Sequence, residues 1–97
     1  MEIEVEGERY QFDWREAAIL LALYWARFNA LTLARLRAIE EDYTKVRSII
    51  ENLEQRGLVE TVRLGRFAVA ILTEKGKRVA RAIEEEARKS GLLRKQN

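Results

Sequence analysis

The chain has 97 residues and contains no cysteine, histidine or proline, enough for one small domain around a single modest core. Without thiol or imidazole, disulfide scaffolds, zinc fingers and His- or Cys-based catalysis are excluded, and carboxylates are the only ordinary acid/base groups. Eighteen basic and sixteen acidic residues give +2 overall, but residues 1–13 sum to −4, 14–72 to +2 and 73–97 to +4, so a basic end is available to phosphate.

No apolar run reaches membrane-spanning length, and the acidic start lacks the basic opening of a signal peptide. A cytoplasmic protein without membrane contact is expected. Scarce Asn, Gln and Met beside abundant Arg and Glu fit a thermophilic source.

Residues 1–12 alternate, Ile3 and Val5 on one side and Glu2, Glu4 and Glu6 on the other. Taking Gly7 and Glu8 as a two-residue loop sets Val5 opposite Tyr10 and Ile3 opposite Phe12, an amino-terminal hairpin with one apolar face. Such a hairpin is marginal alone and must rest on something. Asp13 and Glu16 form a capping box that opens a first helix running to about Phe28, with Asn29 suited to a left-handed stop. From Ala17 to Phe28 only Arg27 is charged, so this helix is apolar around most of its circumference and needs cover on two sides. The spacing of Trp14, Tyr24, Trp25 and Phe28 is read as core packing in preference to a ligand pocket.

Thr32 caps a short second helix with Leu33, Leu36 and Ile39 inward and Arg35 and Arg37 outward. Glu40 and Glu41 make a polar turn, and Asp42 caps a third helix whose Val46, Ile49, Ile50 and Leu53 recur at helical spacing. Its other face carries Thr44, Ser48, Glu51 and Gln55, flanked by Lys45 and Arg47, and Gly57 ends it. Two helices joined by so short a turn have helix-turn-helix spacing.

Leu58 to Leu72 reads as a second hairpin. With Gly65 and Arg66 central, Leu64 faces Phe67 and Val62 faces Val69; the alternative register would oppose Arg63 and Arg66, and like charges across a ladder disfavour it. Val62, Leu64, Phe67, Val69 and Ile71 then share a face, with Arg63 and Arg66 at the tip. Thr73 caps the last helix, from Glu74 to about Ser90, with Val79, Ala80, Ile83 and Ala87 on its apolar side and Gly91 closing it. Glu74 with Arg78, Glu84 with Arg88 and Glu85 with Lys89 have favourable i, i+4 order. Neighbouring carboxylates such as Glu40, Glu41 and Asp42, or Glu84, Glu85 and Glu86, do not converge on one point, so neither a metal, a cofactor nor catalysis is expected.

The segment LTLARLRAIEEDYTKVRSIIENLEQRGLVE (31–60), the turn RLGR (63–66) and LTEKGKRVARAI (72–83) resemble the winged helix-turn-helix superfamily, nearest to the small MarR-like and PadR-like regulators of archaea and bacteria. Leu53, Glu54, Gly57, Leu58 and Val59, and then Leu72, Thr73 and Gly76, stand at the family's spacing. The resemblance covers about two thirds of the chain. It implies one domain, 1–97, of mainly helical α+β class: the hairpin (1–12), a three-helix core with a two-stranded wing (13–72), a carboxy-terminal helix for dimerisation (73–91) and a tail (92–97).

The resemblance further implies a homodimeric, sequence-specific regulator of double-stranded DNA, of archaeal source, and an enzyme is not expected. The third helix would enter the major groove with Tyr43, Thr44, Lys45, Arg47 and Ser48; Arg63 and Arg66 would reach from the wing, and Arg35 and Arg37 would meet the backbone. Leu20, Tyr24, Val79, Ile83, Ala87, Leu92 and Leu93 are the expected dimer contacts. Glu40, Glu41, Asp42 and Glu51 oppose phosphate, and the family usually has an apolar residue where Glu41 stands, so two subunits are needed for useful affinity. A small effector could occupy the apolar space beside the first helix, although no polar group marks a pocket. The alternative is a protein-interaction module docking through Leu64, Phe67 and the acidic hairpin, since fold does not settle function.

Overall fold

The computed structural model describes residues 1–92. Its elements are β1 (Glu2–Val5), β2 (Glu8–Gln11), α1 (Trp14–Trp25), β3 (Ala30–Thr32), α2 (Tyr43–Gln55), β4 (Val59–Leu64), β5 (Phe67–Leu72) and α3 (Glu74–Lys89), with 3-10 turns at Arg27–Asn29 and Arg35–Ala38. β1 and β2 form one antiparallel sheet; the other has the order β3-β5-β4.

The amino-terminal hairpin turns at Glu6 and Gly7, both at positive φ (51° and 83°), as a type I′ turn requires. Val5 therefore pairs with Glu8 and Ile3 with Tyr10, not with Tyr10 and Phe12 as the Gly7–Glu8 loop would give. A slip of two residues preserves the faces, and Ile3, Tyr10 and Phe12 are still buried together. The hairpin rests on α3, tied by Arg78 to Glu6 at 2.9 Å and Lys75 to Glu8 at 3.4 Å. Tyr10, then the charge of Glu8, raise the pKa of Lys75 above its ordinary value.

The Asp13–Glu16 capping box starts α1 as expected. The helix ends at Trp25, short of Phe28, because the chain then turns to pair β3 with β5, Ala30 opposite Ile71 and Thr32 opposite Val69. Both Phe28 and Asn29 take positive φ, and the Asn29 amide donates to the carbonyl of Tyr24 at 2.9 Å. Ile19, Leu20 and Leu23 have no exposed surface, so α1 is the central helix. Its aromatic residues are another matter. Trp14, Trp25 and Phe28 are exposed, which corrects the core reading: Trp14 and Phe28 lie against Arg15 and Arg27, and the Trp25 indole donates to Glu84.

The second helix is a single 3-10 turn. Thr32 Oγ1 accepts from the Arg35 N–H at 3.2 Å, and Leu33 and Leu36 are buried. Asp42 caps α2 by accepting from the Thr44 N–H at 2.9 Å. The wing has the expected register, Leu64 opposite Phe67 and Val62 opposite Val69, around a turn in which Gly65 has φ 61°.

The end of α2 and the start of α3 are locked together. Thr73 Oγ1 donates to the carbonyl of Gly57 at 2.7 Å and accepts from the Gly76 N–H at 2.9 Å, while the Thr73 N–H donates to the carbonyl of Leu58 at 3.1 Å. Gly76 is required at this approach, since a Cβ there would lie 2.0 Å from the Leu58 oxygen. Along α3 the Glu84–Arg88 pair is present at 3.7 Å. The other two expected pairings are replaced: Glu74 meets Lys77, Arg78 turns to Glu6, and Glu85 meets Arg81.

Candidate nucleic-acid interface

The apolar stripe of α2, Val46, Ile50 and Leu53, is buried, which fixes the opposite face toward solvent. Tyr43, Thr44, Lys45, Arg47 and Ser48 are all exposed. Tyr43, Arg47, Glu51 and Glu54 form one wall of a groove of about 300 Å³ whose other wall is the wing, with Thr61, Arg63 and Ala68. The Thr61 N–H donates to the Glu54 carboxylate across this groove at 3.2 Å.

The structure thus brings Arg47 and Arg63 to opposite walls of one groove, a relation that the sequence does not show. Strand alternation from buried Val59 places Thr61 and Arg63 on the side facing α2. Arg66 stands apart from Arg63, within the turn. Arg35 and Arg37 are exposed on the 3-10 turn, and the Arg37 Nε donates to the Glu41 carbonyl at 2.9 Å, which holds that side chain against the turn preceding α2.

Glu40 is a correction to the electrostatic expectation. It is buried, 2.6 Å from Arg15 Nε, and its other oxygen accepts from the Asp42 N–H at 3.0 Å. It therefore braces the start of α2 and presents no carboxylate to a ligand; Glu41 and Asp42 remain exposed. Arg56 does the corresponding work at the other end of α2. Its guanidinium donates to Asn52 Oδ1 at 3.0 Å, the Gln11 carbonyl at 3.1 Å and Glu16 at 3.1 Å, and lies over the Phe12 ring. Two consecutive residues of α1, Arg15 and Glu16, so hold both ends of the exposed helix. Sequence reasoning missed both braces, because each joins segments far apart along the chain.

The expected dimer contacts divide. Leu20, Val79 and Ile83 have no exposure and Ala87 is buried: they pack inside the subunit, and Leu20 and Val79 cannot reach a partner's surface. Tyr24 is half-buried and Leu92 exposed; Leu93 lies outside the described residues. Instead, Met1, Trp14, Ala17, Ala18, Leu21 and Leu92 surround an apolar depression of about 290 Å³ with Ile83 and Ala87 among its lining.

A turn, an exposed helix and a two-stranded wing in this order define a winged helix-turn-helix. Among solved structures the chain is similar to AbsC, a MarR family transcriptional regulator from Streptomyces coelicolor, with TM-score 0.74 and 20% identity over 86% of this chain and 63% of that one. It is also similar to the MarR family transcriptional regulator SPO1453 from Silicibacter pomeroyi, with TM-score 0.68 and 25% identity over 80% of this chain and 56% of that one. Sco3205, a MarR family transcriptional regulator from Streptomyces coelicolor solved in complex with DNA, matches with TM-score 0.66 and 20% identity over 84% of this chain and 56% of that one.

The fold is therefore of the MarR-like winged-helix type, in a chain that spans less than two thirds of these three relatives. No family model and no curated protein matches the sequence. Similarity at this level of identity does not bear out an archaeal source. Among the described residues no helix is long and apolar enough to cross a membrane.

Proposed function

We propose that the protein is a homodimeric, sequence-specific regulator of double-stranded DNA, with α2 in the major groove and the wing on the adjacent backbone. The observation that carries this reading is the groove between α2 and the wing, with Arg47 on one wall and Arg63 on the other. Thr44, Lys45 and Ser48 are exposed on the amino-terminal half of the same helix. Hydroxyl and guanidinium groups suit phosphate oxygens, and an arginine can grip guanine through two bonds. Arg66 extends the basic edge along the wing, and Arg35 with Arg37 adds backbone contacts from the turn. The depression around Trp14 and Leu92 supplies the surface for a second copy, which would double these contacts on a near-palindromic site.

Selection of bound sequences from a random duplex pool tests the reading. The expected result is enrichment of a defined, two-fold related site, with binding lost in an Arg47→Ala, Ser48→Ala variant that still folds. Failure to enrich any sequence, or unchanged affinity in the variant, would overturn it. The exposed Leu64 and Phe67 favour a second reading, a protein-docking module, for which binding would be insensitive to salt.

A further inference from the structure

A continuous chain of contacts runs from the apolar depression to the first turn of α2. Trp14 is exposed and lines the depression, and the Arg15 guanidinium lies 4.7 Å from the centre of its ring. Arg15 Nε is 2.6 Å from one Glu40 oxygen, and the other accepts from the Asp42 N–H at 3.0 Å. Asp42 in turn caps α2 through the Thr44 N–H. The Arg15–Glu40 pair is unevenly placed: the Glu40 side chain is 8% exposed and that of Arg15 42%. Arg15 Nε is itself buried yet makes no aligned hydrogen bond despite the close approach. The pair is therefore held by charge more than by a directed bond, and its strength depends on the water that reaches the open side of Arg15.

We infer that Arg15 and Glu40 are positioning residues that set the first turn of α2 for sequence reading, and that they do so fully only when a second copy covers Trp14. The inference rests on the dimeric, DNA-binding reading above and deepens it, by giving the route from the subunit contact to the reading helix. A second copy seated on the depression buries Trp14 and takes water from the open side of Arg15. Lower local dielectric strengthens the attraction between Arg15 and Glu40. Glu40 is then held on the Asp42 N–H, and the Asp42 cap fixes the pose of Thr44, Lys45, Arg47 and Ser48. Base-edge hydrogen bonds weaken steeply as their angle departs from linear, whereas a long side chain on a phosphate can follow a small shift. A loosened relay thus costs discrimination between sequences more than affinity for duplexes in general. The coupling is reciprocal, so a duplex that fixes α2 also favours association.

The test uses the full chain and two duplexes, each offering a single half-site, which removes the avidity of two reading helices. One carries a half-site selected from a random pool, the other the same bases in scrambled order, and anisotropy gives the ratio of the two affinities. Leu92→Glu, at an exposed position that lines the depression after α3, opposes association without altering α1. It should lower the ratio by about fivefold or more, the lower end of the range for coupled sites. Glu40→Gln and Arg15→Gln should each lower it by a similar factor, with affinity for the scrambled duplex and its salt dependence nearly unchanged. Arg15→Lys, which keeps the charge, should recover most of the loss. Leu92→Glu combined with Glu40→Gln should lower the ratio no further than either alone.

An unchanged ratio in both glutamine variants would overturn the inference, as would an equal loss of affinity on both duplexes, which marks a merely structural role. Additive losses in the combined variant would show that α2 is positioned without help from the second copy and would overturn the coupling. A Leu92→Glu protein that sediments as a dimer would move the subunit contact off the depression and overturn it too. Each of these results leaves the DNA reading in place. Absence of any discrimination by the unaltered protein would overturn the DNA reading and the inference with it.

Discussion

Replacing Gly76 by alanine sets two effects of opposite sign against each other. Alanine is the better helix former by about 1 kcal/mol in a helix interior, and by less in the first turn, where Gly76 sits. The new methyl, however, would lie 2.0 Å from the Leu58 oxygen and 3.0 Å from both the Leu58 carbonyl carbon and Leu72 Cδ2. The start of α3 must retreat by about 1 Å or more to restore ordinary contact. That movement stretches the bonds from the Thr73 N–H to the Leu58 carbonyl and from the Thr73 hydroxyl to the Gly57 carbonyl. Two lost hydrogen bonds at about 1 kcal/mol each and about 1–3 kcal/mol of overpacking outweigh the propensity gain. The net destabilisation is about 2–4 kcal/mol, or a fall of about 10–30 °C in melting temperature for a domain of this size. Thermal melting by circular dichroism, with urea unfolding to check that the slope is unchanged, reads this directly. An unchanged or raised melting temperature would show that the α2–α3 junction is looser than described and would refute the packing argument.

Arg56→Ala should cost about 2–4 kcal/mol, because it removes three hydrogen bonds and leaves the largely buried Glu16 without its cation. Arg9→Ala, which breaks only exposed pairs with Glu2 and Glu4, should cost less than about 1 kcal/mol; equal losses in urea unfolding would contradict the bracing of α2. Trp14→Glu places a charge at the rim of the depression without disturbing the core, since Trp14 is 63% exposed. Light scattering should find the unaltered protein dimeric and the variant monomeric at tens of micromolar, and a dimeric variant would move the subunit contact elsewhere.

The parts of the fold legible in the sequence are those set by short-range chemistry. The caps Asp13, Asp42 and Thr73 each bond within three residues, and the wing register follows from one turn and one like-charge clash. The parts that were not legible depend on distant partners. β3 exists only because β5 offers an edge, and its pairing ends α1 early. Glu40 is turned inward by Arg15, which no local pattern announces. Alternation alone did not say which face of the wing meets the core, since Ala68, Ala70 and Leu72 compete with Val69 and Ile71. The helix aromatics misled for a related reason: Trp14, Trp25 and Phe28 have helical spacing, but an arginine or a glutamate beside each lets it remain at the surface.

The salt dependence of binding to a duplex selected from a random pool tests the central claim most directly. If Lys45, Arg47, Arg63 and Arg66 each meet a phosphate in both copies, log K should fall against log salt with a slope of about −7, and the backbone contacts of Arg35 and Arg37 would steepen it further. Arg63→Ala should make that slope shallower by about 2, because one contact is lost from each subunit. A slope near zero, or one unmoved by Arg63→Ala, would contradict the assignment of α2 and the wing as a DNA-binding surface.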